Sequence, residues 1–92
     1  MKKILALTTA LTGVAFAATA ADVTVMSWGG DYTKSQVEAY HKPFTAATGT
    51  NVVSVDSDNP APQIKTMVEA GNVTVDVGDV EYADAIRLCD EG

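Results

Sequence analysis

The chain has 92 residues, with six basic and twelve acidic side chains and a net charge of −6. That balance argues against nucleic acid as a partner, because phosphate binding needs a basic face. A chain this short buries only a small core, and its single cysteine, Cys89, excludes an internal disulfide as compensation.

The N-terminus reads as a secretory leader. Lys2 and Lys3 form a basic start, Ile4 to Ala17 an apolar stretch diluted by threonines, and Ala18-Thr19-Ala20 a small-residue exit. The apolar run is short of the roughly 20 residues that span a bilayer, and the order of charge, apolar run and exit argues against a buried N-terminal helix. Residues 1–20 are therefore expected to be a signal peptide, and residues 21–92 the first part of an α/β lobe. Cleavage after Ala20 leaves Lys34, Lys42, Lys65 and Arg87 against all twelve acids, a net charge of −8. Export would place the protein in the periplasm, and because no lipid-anchor cysteine follows the leader, a soluble rather than a tethered protein is expected.

Val23 to Ser27 is a β-branched run and reads as a strand. Trp28-Gly29-Gly30 breaks it, and Asp31 is expected to cap the helix that follows. Val37, Tyr40, Phe44 and Ala47 recur at steps of three and four, one helical face. Lys34 and Glu38 stand at pairing distance on another face. Pro43 is expected to kink this helix, and Gly49 to stop it. His41, the only histidine, reads as a surface residue.

Asn51 to Val55 reads as a second strand and Asp56 to Pro62 as a loop. Gln63 to Ala70 follows as a helix with Ile64, Met67 and Val68 inward, ended by Gly71. The alternation of Val73, Val75 and Val77 predicts a third strand, and Tyr82 to Glu91 a third helix with Ile86 and Cys89 on one face. That last helix should feed another strand, so the chain reads as truncated, with Cys89 awaiting a partner beyond Gly92. Strand and helix alternate throughout, which predicts a parallel sheet with helices on its faces.

Ligands of open parallel sheets bind outside the carboxyl ends of the strands, which directs attention to three loops. In the first, Trp28 and Tyr32 flank Gly29, Gly30 and Asp31. The glycines let backbone approach a ligand, the aromatic faces can hold a cation, and Asp31 can pair with an amine or simply cap. In the third, Asp79 and Glu81 stand near a strand end and create a field suited to a cationic solute. The second loop, Asp56 to Asn59, offers polar groups without the spacing of a calcium loop. Catalysis finds little support: no serine sits in a nucleophile elbow, His41 is far in sequence from Cys89, and no His/Cys cluster suggests a metal. No catalytic residue, metal ligand or cofactor is expected. The rival readings are an exported hydrolase using Cys89 or the pair Asp79 and Glu81, and a small exported interaction protein.

The run "VTVMSWGGDYTKSQVEAYHKPFTAATGTNVV" resembles the start of periplasmic solute-binding proteins of ABC importers, the spermidine/putrescine-binding type in particular. Trp28, Pro43-Phe44 and Thr48-Gly49 carry the likeness, and "IKTMVEAGNVTVDVGDVEYADAIRLCDEG" is similar to the family's later helix–strand–helix block. The resemblance implies a two-lobed, hinge-closing α/β fold of the type II class, of which this chain is the first part of one lobe. It also implies a non-enzymatic role. A small solute, a polyamine or other amine, would be captured for an inner-membrane ABC permease by a protein that is monomeric when full length. The family's aromatic contact to the alkyl amine maps onto Trp28 and, less closely, Tyr32. Glu81 and Tyr82 depart from the small polar residues that relatives place after the third strand.

Overall fold

A computed structural model describes residues 8–14 and 21–92. Most of the expected leader, residues 1–7 and 15–20, lies outside the described residues. Its middle, Thr8 to Val14, has no regular secondary structure and leaves Leu11 94% exposed, so this stretch adds nothing to the core.

Three parallel strands form the sheet: β1 (Val23–Ser27), β2 (Val52–Asp56) and β3 (Val77–Gly78), in the order β2-β1-β3. β1 is central because its β-branched residues pair on both sides, Val23 to Ser27 against Val52 to Asp56, and Val25 and Met26 against Val77 and Gly78. Its end is among the most protected points of the described residues, with Met26 at 2% exposure and Ser27 at 1%. The order departs from the chain order, and the step from β1 to β2 reverses on the way to β3. With right-handed crossovers, that reversal sends the connecting helices to opposite faces.

The third strand is shorter than the valine alternation predicts. Val73 is exposed and Val75 half-buried, both outside the ladder. Just ahead of β3 the pairing runs partly through a side chain: the Asp76 N–H donates to the Thr24 carbonyl at 2.9 Å, and the Asp76 carboxylate accepts the Thr24 N–H at 2.8 Å. A carboxylate here occupies the place of a main-chain acceptor, and alternation in the sequence carries no trace of that substitution.

The first helical region is continuous but not uniform. It comprises α1 (Gly30–Gln36), a widened π turn over Val37–His41, and α2 (Lys42–Thr48). Pro43 is the cause. Its ring cannot donate to the carbonyl of Ala39 and would crowd it, and the turn opens so that the Lys42 N–H reaches back five residues to Val37. The extra residue rotates the helix. Val37, His41 and Thr45 become the half-buried line, while Tyr40, Phe44 and Ala47, expected inward, are exposed. His41 is half-buried at the surface, its Nδ1 3.3 Å from the exposed Ser54 hydroxyl of β2. Glu38 pairs with Lys42 rather than with Lys34. Gly49 stops the helix as expected, at φ +75°, its N–H donating to Thr45.

α3 (Pro60–Glu69) begins three residues before the expected start. Pro60 and Pro62 read as loop residues in sequence, yet both fit the first helical turn, where no intrahelical donor is required of them. The helix ends in a paired reversal, Asn72 N–H to Met67 and Gly71 N–H to Val68. Ile64 and Met67 are half-buried, whereas Val68 is exposed. Ile64 seats over Gly78 of β3, where an added Cβ would overlap its Cδ1. α4 (Tyr82–Glu91) has the predicted bounds and packs on α3. Its half-buried residues are Asp84, Ala85 and Leu88, and Ile86 and Cys89, read on one face, are exposed. A Lys65–Glu91 ion pair of 3.0 Å joins the two helices, and the Lys65 ammonium holds the Glu91 carboxyl below its usual range.

Candidate functional site

The carboxyl ends of the three strands form a rim, and backbone geometry at the first loop sets its shape. Gly29 has φ +81° and ψ −176° and Gly30 has φ +56°, conformations that L side chains avoid. Gly29 also lies flush against β2: a Cβ there would stand 3.3 Å from the Cβ and Cγ of Asp56. The two glycines start α1 earlier than expected. Gly29 takes the cap position, and Asp31 falls inside the first turn with its side chain making no cap bond. Thr33 supplies the missing side-chain link, its hydroxyl accepting the Gly29 N–H at 2.8 Å. The tip of β2 is tied back by the Ser57 N–H to Ser27 carbonyl bond at 2.8 Å.

Two open hollows lie along this rim. One of about 580 Å³ separates the tips of β1 and β2, with Trp28 and the glycine pair on one side and Asp56 to Asn59 with Gln63 on the other. The second, about 420 Å³, lies between the tips of β1 and β3, lined by Trp28, Tyr32, Asp79, Val80 and Glu81. The second is the smaller, but it lies where neighbouring strands β1 and β3 are not consecutive in the chain, the switch point at which open α/β sheets admit ligands. Trp28 is half-buried and borders both hollows. No lysine, arginine or histidine lines either hollow among the described residues.

Five of the seven residues singled out in the first and third loops stand in one continuous patch around Trp28: Gly29 and Gly30 on its β2 side, Tyr32, Asp79 and Glu81 on its β3 side. Trp28 itself is the sixth. Asp31 is exposed on α1 and borders neither hollow.

Asp79 is the best-connected group of the rim. Its N–H donates to the Met26 carbonyl at 2.9 Å. Its Oδ2 accepts from the Ser27 hydroxyl at 2.9 Å and from the Gln36 amide at 2.8 Å. The carboxylate also holds the Tyr32 hydroxyl above its ordinary pKa of 10.0, by hydrogen bonding first and by charge second. Sequence reasoning placed Ser27 at the start of the first candidate loop without giving it a role, missed Gln36 and Gln63, and gave little weight to Asp56 and Asp58. The last two were legible from their position at a strand tip, whereas Gln36 carried no signal of its own.

The start of α3 also bears on this chemistry. A helix N-terminus ordinarily offers free N–H groups to an anion. Here Pro60 and Pro62 remove two of them beside the larger hollow, which leaves the acids Asp56 and Asp58 less opposed.

The fold is a parallel-sheet α/β one, and its neighbours among solved structures are ABC-transporter and periplasmic binding proteins, of which it spans about a fifth. Two solved structures carry it at a TM-score of 0.66. An ABC transporter from Rhodopseudomonas palustris CGA009 is 28% identical over 77% of this chain and 21% of its own. The periplasmic binding protein AgtB from A. tumefaciens R10, in complex with agropinic acid, is 34% identical over 73% of this chain and 22% of its own. Among curated proteins, the gamma-aminobutyric acid-binding protein of Pseudomonas aeruginosa is 41% identical over 86 residues, 89% of this chain. The chain spans 24% of the length of that relative. No family model matches the chain.

Proposed function

We propose that this chain is the opening segment of an exported solute-binding protein of an ABC importer, and that its rim receives the ammonium group of a small amine-bearing solute. Residues 1–20 act as its signal peptide, the periplasm is its compartment, and an inner-membrane permease is its partner. The observation that carries the solute class is the set of acids and aromatics around Trp28, with no basic side chain lining either hollow among the described residues. A cation gains from the aromatic faces and from the field of Asp79 and Glu81. The relatives are binding proteins rather than enzymes, which favours capture over turnover.

An ammonium is common to polyamines and to γ-aminobutyrate, the solute in the Pseudomonas relative's name. The acids and aromatics of the rim suit that group, and among the described residues no cationic side chain lines either hollow to meet a carboxylate. In this reading Trp28 and Tyr32 pack on the alkyl amine, Asp79 and Glu81 balance its charge, and the second lobe supplies the remaining contacts. Calorimetric titration of the mature protein with putrescine, spermidine and γ-aminobutyrate, alongside glucose and succinate, tests it. Heat and a change in Trp28 emission with at least one amine are expected. A response to glucose or succinate alone rejects the solute class.

A further inference from the structure

We infer that Gln36 and Ser27 are positioning residues that aim the Asp79 carboxylate at the solute's ammonium group, an inference that rests on the proposed function. Three parts of the fold meet at this one carboxylate. Asp79 follows β3, Ser27 ends β1, and Gln36 closes α1, at separations of 52 and 43 residues in sequence. Both side chains donate to the same oxygen, Oδ2, at 2.9 and 2.8 Å. Two donors on one oxygen fix the plane of the carboxylate, and the Tyr32 hydroxyl beside it is a third group with which a bound ammonium would share its acceptor capacity.

The arrangement is built rather than incidental. Ser27 is 1% exposed and so cannot turn its hydroxyl to bulk water. Gln36 is half-buried at the end of α1. The Asp79 N–H is itself held by the Met26 carbonyl, so backbone and side chain are both anchored to the central strand. Tyr32 and Trp28 border the same hollow, so the carboxylate is presented beside the aromatic faces that would cover an alkyl amine. Neutral amide and hydroxyl donors suit this task. They orient the carboxylate without cancelling its charge, as a lysine or arginine in the same place would.

A binding site gains affinity when its charged group is held in place before the ligand arrives. Loss of one orienting bond is therefore expected to weaken amine affinity roughly tenfold, the equivalent of one charge-assisted hydrogen bond. The test is a double-mutant cycle on the mature protein, with amine affinity from calorimetry and the urea midpoint recorded for every variant. Gln36→Met and Ser27→Ala each remove one donor, and Asp79→Asn removes the charge.

If the two donors act through Asp79, each weakens amine affinity in the wild-type background and has little further effect once Asp79→Asn is present. A purely structural role moves the urea midpoint and leaves the cycle additive. The inference is overturned by amine affinity unchanged in both donor variants, by additive losses in the cycle, or by Asp79→Asn binding as tightly as wild type. Failure of the wild-type protein to bind any amine instead removes the proposed function on which the inference rests.

Discussion

Gly29 offers the sharpest test of how the rim is built. Its φ and ψ of +81° and −176° lie where essentially only glycine is found, and holding an L residue there costs about 1–3 kcal/mol. The Cβ of an alanine would also stand 3.3 Å from two carbons of Asp56, a crowding that adds about 1 kcal/mol unless β2 yields. Alanine restricts the unfolded chain and returns about 0.4–1 kcal/mol. Gly29→Ala should therefore destabilise the protein by about 2–3 kcal/mol. Gly30→Ala provides the internal control. Its φ is +56° and nothing lies within contact of an added Cβ, so the left-handed cost of about 1–2 kcal/mol is largely offset by the same entropy gain. Urea unfolding followed by Trp28 emission, with the slope compared across variants, should rank wild type above Gly30→Ala and Gly30→Ala above Gly29→Ala. Equal midpoints for the two variants, or a loss below about 0.5 kcal/mol for Gly29→Ala, would refute the backbone account of this turn.

Two further outcomes follow from contacts elsewhere. Gly78→Ala drives a methyl into the Ile64 Cδ1 and should cost about 1–3 kcal/mol. Ile64→Val deletes that atom, so urea midpoints should show the double variant losing less than the sum of the two single changes. Tyr32 should ionise above the free phenol value of 10.0 because Asp79 lies beside its hydroxyl. The raised pKa means its contribution to stability is complete below pH 10 and is lost as pH climbs through the folded-state value. Asp79→Asn should bring the phenolate absorbance transition of Tyr32 back down, and an unchanged transition would exclude Asp79 as its cause.

Local chemistry made much of this fold legible. β1 and α4 have the bounds read from sequence, since a β-branched run and a helical run between breakers are decided by their own residues. Gly49 and Gly71 likewise stop their helices where expected. Departures arise where a distant partner or a break in the helix overrides the local pattern. Val73 and Val75 alternate as a strand should, but the Asp76 side chain takes the bond to Thr24 and the ladder is confined to Val77 and Gly78. Tyr40 and Phe44 have helical spacing, but the turn opened by Pro43 rotates them outward. At the rim, strand-tip reasoning located Trp28, Tyr32, Asp79 and Glu81 around one hollow. Gln36 was illegible because its role exists only when α1 and the loop after β3 are brought together.

The proline pair that opens α3 has a consequence for the charge its helix end can hold. Two peptide donors are missing from the helix end that faces the larger hollow, and no side-chain replacement among the acids brings them back. Retuning this half of the molecule toward a carboxylate or phosphate would thus begin at Pro60 and Pro62, with charge reversal at Asp56 or Asp58 as a second step. Restoring those N–H groups would return to the main chain two donors that a negatively charged group could use.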